Sequence, residues 1–201
     1  MKLSLKLLLA SQFVFVFGIG LYGPIYSIFV EQLGGSVLDA GIAWAVFLIS
    51  LGIVEYPMGK FIDKFGKKRM LILATLLCAG VAYSYALANS FYQLLAIQVL
   101  AGVAFAVGDP TWDAWYSDLV DDHKSGFQWG LANMVTNVGE GIAILLGGAL
   151  AYFMGFRSLF LIAGTIALAS MFVFLRAKEV VGSKSKKIKH RHSFLFGKRQ
   201  E

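Results

Sequence analysis

Residues 59–70 read GKFIDKFGKKRM, a short charged segment between two long apolar runs. The twelve residues hold five basic side chains and one Asp, whereas the whole chain of 201 residues is 58% hydrophobic and only 15% charged. A water-soluble protein of this size needs a more polar surface than this composition provides. The segment is therefore predicted to be a loop that joins two membrane-spanning helices.

Apolar runs long enough to cross a bilayer, which takes about 20 residues, occur six times in the chain. They cover approximately residues 7–30, 40–62, 71–89, 91–118, 127–154 and 157–176. We therefore expect an all-α membrane protein with two parts. Residues 1–176 form a six-helix transmembrane bundle, and residues 177–201 form a basic cytoplasmic tail.

The distribution of basic residues predicts the orientation of the bundle. Of the 18 Lys and Arg residues, only Arg157 falls on the side of the membrane opposite to residues 59–70. Loops on the cytoplasmic side carry the excess of Lys and Arg in membrane proteins. The sequence thus predicts a multi-pass protein of the cell membrane, plasma or bacterial inner, with both termini in the cytoplasm.

Two parts of the chain resemble each other at an offset of 85 residues, which superimposes the first and second predicted spans on the fourth and fifth and so implies a repeat of three helices. The matched pairs are Gly41 with Gly126, Trp44 with Trp129, Glu55 with Glu140 and, with one residue of slippage, Pro24 with Pro110. Because three is an odd number, the two copies must run in opposite directions. Inverted three-helix repeats are a building plan of secondary transporters. We therefore predict an inverted 3+3 repeat.

The opening segment resembles a known signature, G-x-L-a-D-r-x-G-r-k-x-x-l, between helices 2 and 3 of the major facilitator superfamily. The positions that match are Gly59, Asp63, Gly66, Lys67, Lys68 and Leu71. The resemblance covers nearly all of residues 1–176 and corresponds to the N-terminal half of a twelve-helix member. It implies a half-size transporter in which Asp63, Lys67 and Asp118 form a cytoplasmic latch that stabilises the outward-facing state.

The residues of this segment also have a simpler interpretation, in which the basic side chains only fix the topology. Asp63 is expected to cap the start of the third span and to pair with Lys67 or with a charge at the end of the fourth. The chain also departs from the family pattern at Gln98, where members often carry an Arg tied to proton coupling. The antiporter signature of helix 5 survives only in part.

Four carboxylates fall within predicted spans: Glu55, Asp109, Asp113 and Glu140. A charged side chain in the bilayer is costly and usually faces a cavity or a partner. Asp109 and Asp113 are four residues apart, so they share a helix face with Gln98. Alternatively, the fourth span ends at Gly108 and both Asp residues lie in a cytoplasmic loop.

A candidate substrate or proton site combines these residues with polar and aromatic neighbours on other spans. It comprises Asp109, Asp113, Gln98, Tyr22, Tyr26, Asn133 and Asn137. Glu55 and Glu140, as mates in the repeat, are hypothesised to serve the two gates, one in each leaflet. The third and sixth spans carry few polar residues and are expected to face lipid.

The fifth span carries small residues at every fourth position. They are Gly139, Ala143, Gly147 and Ala151. Small residues at this spacing let another helix approach closely, so we predict a helix-packing seam.

The basic tail is expected to bind anionic lipid, whereas nothing in its sequence supports nucleic-acid binding. His190 and His192 are interpreted as tail residues rather than metal ligands. The sequence shows no nucleotide loop, metal-ligand cluster or activated nucleophile, so we expect neither an enzyme nor a cofactor.

The leading functional hypothesis is a secondary transporter of small molecules that works as a parallel homodimer of half-size units. An acid-only cavity favours cationic or neutral compounds, a carboxylate in it can carry a coupling proton, and export is the expected direction. The alternative is a non-transporting membrane subunit or scaffold that pairs with a separately encoded half.

Overall fold

The structure, a computed structural model, describes residues 3–23 and 25–176, and all regular structure in these ranges is helical. The helices are α1 (Leu3–Gly20), α2 (Tyr26–Gln32), α3 (Val37–Phe65), α4 (Lys67–Leu87), α5 (Phe91–Leu119) and α6 (Ser125–Arg176), with a 3-10 turn at Asp122–Lys124. Five of them, all except α2, are long and apolar enough to cross a membrane. The chain is therefore an all-α, multi-pass membrane protein. The predicted tail, 177–201, lies outside the described residues.

Helix α6 contains two predicted spans in one run of 52 residues. At 1.5 Å per residue it is about 78 Å long, more than twice the thickness of a bilayer core. Its continuity is interrupted at Gly155, where φ is 79° and ψ is 164°. This backbone conformation favours glycine and divides α6 into a first half, 125–154, and a second half, 156–176.

The first predicted span, about 7–30, is not one continuous helix. It is broken between the end of α1 at Gly20 and the start of α2 at Tyr26. The sequence Gly23-Pro24 disfavours helix here, because proline restricts the residue before it and has no backbone N–H. The break leaves α2 as a separate helix of seven residues.

Local capping explains why other helices begin where they do. Helix α3 starts with a capping box, in which Asp39 N donates to Ser36 Oγ and Ser36 N donates to Asp39 Oδ2 at 2.7 Å. Helix α5 starts in a similar way, since Gln93 N donates to the hydroxyl of Ser90. These side chains satisfy backbone donors that have no partner within the helix.

The main helix contacts pair α1 with α6, α3 with α5, and α4 with both α5 and α6. Helix α5 lies close to α3 at Gly102, where a Cβ would fall 2.8 Å from Phe47 O. Helix α4 is well buried, with Tyr85 only 3% exposed. The expectation that the third span faces lipid is therefore wrong, because α4 packs between α5 and α6. The second half of α6 likewise buries one face, including Phe160.

The seam of small residues on α6 lies against α1 and the break that follows it. Gly139 is next to the ring of Phe13, and Ala143 is next to Gly20. Gly147 lies so close to the main chain of Leu21 that a Cβ there would overlap the Leu21 carbonyl oxygen. The absence of a side chain at Gly147 is thus what allows the broken segment to rest on α6. Ala151, the last seam residue, is half-buried.

This contact predicts that Gly147→Ala destabilises the protein. The added methyl group must push the Leu21 backbone away, so we expect a loss of about 1–3 kcal/mol in unfolding free energy, as for overpacked cores. The measurement is thermal unfolding of this variant, a control variant and the wild type in the same detergent. The control is Gly148→Ala, since nothing lies within 4 Å of a Cβ at Gly148. Equal melting temperatures for the two variants would contradict this packing.

Candidate functional site

A cavity of about 290 Å³ opens where the broken first span meets α3, α4, α5 and α6. Six aromatic side chains line it: Tyr22, Tyr26, Trp44, Phe47, Tyr85 and Phe105. Polar groups enter it from α5 and α6, namely Gln98, Asp109 and Glu140. We call this space the central cavity. It combines flat aromatic surface with two carboxylates, and no Lys, Arg or His is among the described residues that line it.

Gln98 lies at the centre of a buried hydrogen-bond network in the wall of the central cavity. Its side chain is only 2% exposed. The Tyr85 hydroxyl donates to Gln98 Oε1 at 2.8 Å, and Gln98 Nε2 donates to the Tyr26 hydroxyl. A buried amide needs such partners, because leaving one unsatisfied costs about 1–3 kcal/mol. The network ties three helices, α2, α4 and α5, to one side chain.

Asp109 is shared by two cavities. It lines the central cavity, and it also lines a second space of about 270 Å³ together with Asp113, Gln12 and Thr75. Helix α5 continues through Pro110 to Leu119, so the alternative in which it ends at Gly108 is wrong. Asp109 consequently lies ten residues, or about 15 Å, from the end of α5.

The other two acids have different surroundings. Glu55 on α3 is exposed and lies near enough for its charge to act on both Asp109 and Asp113. Glu140 on α6 shares the central cavity with Asp109. Asp109 thus shares the second cavity with Asp113 and the central cavity with Glu140, whereas Glu55 lines neither.

Not all predicted site residues meet in one place. Tyr22, Tyr26 and Gln98 line the central cavity, whereas Asp113 lines only the second. Asn133 and Asn137 lie on the exposed surface of the first half of α6 and line neither cavity.

Several lining residues were missed by sequence reasoning. Tyr85 is the most important, since it donates to Gln98 from a helix that looked featureless. The signal was available, because Tyr83 and Tyr85 are the only aromatic residues in α4. Trp44 and Gln12 were also missed as lining residues. Trp44 had been noted only for its match in the repeat.

The charged segment 59–70 forms contacts between the ends of three helices. The Lys67 ammonium pairs with Asp118 at the end of α5 and also donates to Ala114 O at 3.2 Å. The Lys68 ammonium donates to Leu175 O near the end of α6 at 2.6 Å. These bonds join the start of α4 to the last turns of α5 and α6.

The two glycines and the Asp of this segment have different surroundings. Gly66 has φ 86°, which turns the chain between α3 and α4 within one residue. No side chain caps the start of α4, so the expectation that Asp63 does so is wrong. Asp63 is exposed in the last turn of α3, and nothing lies within 4 Å of a Cβ at Gly59.

The partly buried Lys67–Asp118 pair predicts non-additive effects of substitution. We expect Lys67→Gln and Asp118→Asn each to lower the unfolding free energy by about 1 kcal/mol, near the upper end for partly exposed pairs. The double variant should lose little more than either single one, because the same interaction is removed. Thermal unfolding of the four proteins measures this cycle. Losses that simply add would show that the two charges do not interact.

The family model of the Major Facilitator Superfamily matches residues 8–200 of the chain. An uncharacterized MFS-type transporter of Methanocaldococcus jannaschii is 24% identical over 177 residues, which cover 88% of this chain and 46% of that protein. The quinolone resistance protein NorA of Staphylococcus aureus is 24% identical over 168 residues, covering 84% of this chain and 43% of NorA. This chain therefore spans about half the length of these relatives. It belongs to the Major Facilitator Superfamily.

Proposed function

We propose that this chain is a six-span transporter unit that moves small cationic or neutral organic compounds across the cell membrane by alternating access. Two copies in parallel orientation form the working unit, both termini are cytoplasmic, and export is the proposed direction. The observation that carries the proposal is the central cavity, where aromatic side chains and carboxylates meet in the interior of a membrane-spanning bundle. One of its relatives is named as an MFS-type transporter and the other as a quinolone resistance protein, which supports transport rather than catalysis.

The substrate class follows from the chemistry of the central cavity. Faces of Trp and Tyr attract cations, and Trp44 and Tyr26 lie together in this wall with ring centroids 6.5 Å apart. Asp109 and Glu140 add negative charge within the same space. Its volume of about 290 Å³ is at the lower end for small-molecule sites. An organic ammonium compound, or a neutral aromatic one, fits this combination.

The need for a second bundle follows from polar residues on the surface of the first. Asn133, Asn137 and Asp113 are exposed on their helices. Polar side chains in membrane spans face protein or water-filled cavities rather than lipid. A second bundle placed against this surface would enclose them. Because the basic residues favour one orientation for every copy, a second copy would lie parallel to the first.

Large apolar side chains on α3 and α6 provide further surface for such a partner. Tyr56 on α3 is 92% exposed, and Tyr152 on α6 is 84% exposed. Only four of the 29 residues of α3 are buried within the chain. Lipid can cover apolar side chains of this kind, but it cannot solvate the exposed polar groups of Asp113, Asn133 and Asn137. We therefore place the two-copy interface along α3 and the first half of α6.

Aromatic pairing supports the proposed inverted repeat. Trp44 lies 6.5 Å from Tyr26, and Trp129 lies 6.3 Å from Trp112, measured between ring centroids. Trp129 is the repeat mate of Trp44, and Trp112 is the mate of Tyr26 when the one-residue slippage near Pro24 is applied. The same contact thus occurs once in each half of the bundle, at positions that the offset relates.

Proton coupling is proposed at Asp109 because this residue borders both cavities. A proton taken up from one cavity can be released to the other without movement along the helix, provided that the two cavities open to opposite sides in turn. Glu55 and Glu140, which are mates in the proposed repeat, are proposed as gate carboxylates. The segment 59–70 would act as the cytoplasmic latch through Lys67 and Asp118.

The transport proposal is tested in proteoliposomes with tetraphenylphosphonium as the probe and an imposed pH gradient. We expect the gradient to drive tetraphenylphosphonium movement and Asp109→Asn to reduce the rate at least tenfold, because amide 109 cannot exchange a proton. Glu31→Gln is the control, since Glu31 is an exposed carboxylate on α2 that lines neither cavity. Transport that ignores both the gradient and Asp109→Asn would eliminate proton coupling. If the chain does not transport and is purified together with another protein, the scaffold alternative is favoured.

The aromatic wall is tested separately from the carboxylates through Tyr26. Tyr26→Leu removes a ring face, so we expect tetraphenylphosphonium to bind about five- to thirtyfold more weakly, the loss expected for a desolvated cation–π contact. Tyr26→Phe retains the ring and should bind within about threefold of wild type, although Gln98 loses a partner. Isothermal titration in detergent measures both affinities. Equal binding by the Leu and Phe variants would show that the ring does not hold the cation.

A further inference from the structure

An apolar groove lies between the last turns of α3 and the first turns of α4, apart from both acidic cavities. Its volume is about 370 Å³. Phe61, Phe65 and Leu73 form its walls, and each is between 45% and 47% exposed. Met58, Met70 and Val107 form its floor and are at most 8% exposed. The floor is thus packed protein, whereas the walls are open to whatever surrounds the bundle.

Basic groups occur at one end of this groove. Arg69 is the only charged residue that lines it, and its side chain is exposed. Lys64 lies beside it, with Nζ 5.3 Å from the ring centroid of Phe65. Lys67 and Lys68 make their contacts elsewhere, with α5 and the end of α6. The positive charge at the groove therefore comes from Arg69 and Lys64, which take no part in the Lys67–Asp118 contact.

The groove has a direction along the helices. Arg69 and Leu73 are four residues apart and so lie on one face of α4, with Leu73 about 6 Å further into the span. On α3 the corresponding distance, from Phe65 back to Met58, is about 10 Å. The basic end coincides with the helix ends, where the membrane surface is expected, and the apolar part runs inward.

We infer that this groove binds one phospholipid with an anionic headgroup. Arg69 and Lys64 bind the phosphate, and an acyl chain fills the space above Met58, Met70 and Val107. Basic pockets between membrane helices on the cytoplasmic side bind anionic headgroups, and guanidinium groups form strong charge-assisted hydrogen bonds with phosphate. The charge at one end and the apolar lining of the rest match an amphiphile better than a free anion. This site is independent of the proposed transport function.

The inference is tested by native mass spectrometry of the purified protein titrated with phosphatidylglycerol or phosphatidylcholine of identical acyl chains. We expect one phosphatidylglycerol to bind in preference to phosphatidylcholine. Arg69→Gln should weaken phosphatidylglycerol binding about fivefold, the factor that corresponds to one basic group at a membrane surface, and leave phosphatidylcholine unchanged. Leu73→Trp fills the groove and should weaken both lipids.

Two controls make the test specific. Lys124→Gln removes an exposed positive charge that does not line the groove, so it should not alter lipid binding. Arg69→Lys keeps the charge and should bind within about twofold of wild type. Unchanged phosphatidylglycerol binding in Arg69→Gln would overturn the inference. Displacement of the lipid by soluble glycerol phosphate would also overturn it, as would a change from two copies to one in Leu73→Trp.

Discussion

Polar side chains on membrane-spanning helices cannot be left in contact with lipid, and this constraint governs the rest of the structure. Its clearest expression is Gln98, whose amide is satisfied by Tyr85 and Tyr26 in a buried network. The carboxylates have different surroundings, because Asp109 and Glu140 line a cavity in which no described residue is basic. A carboxylate inside a bundle that has no basic side chain beside it requires contact with water or with a bound cation. The same constraint is the basis on which we propose a substrate for the cavity and a second bundle for the exposed amides.

The break in the first span positions the aromatic wall against these polar groups. Tyr22 lies in the break after Gly20 and Tyr26 lies at the start of α2, so the cavity is lined by two separate segments of this span. Gly147 makes this possible, since the main chain of Leu21 occupies the space that a side chain would need. The small-residue seam thus serves the site indirectly. It lets the main chain of Leu21, the residue before Tyr22 in the cavity wall, rest directly on α6.

Sequence patterns predicted an all-α membrane protein, because the length of an apolar run is a local property. They also singled out Gln98, Asp109 and Glu140, which line the central cavity, since a polar residue in an apolar helix is visible without a structure. The break after Gly20 was missed because apolar composition continues across it to Val30. Tyr85 was missed, and α4 was wrongly assigned to lipid, because hydropathy alone cannot distinguish a helix buried in protein from one that faces lipid. The sequence could not predict which cavity Asp113 lines, because this depends on how the helices pack.

The central claim is that one bundle is completed by a second copy of the same chain. The most direct measurement is the native mass of the purified protein in a lipid nanodisc, compared with the chain mass of 22.0 kDa. The account predicts a species that contains two copies and persists on dilution. A single copy, or one copy bound to a different protein, would contradict it, because the acids and amides on α5 and α6 would then be enclosed by something other than this chain.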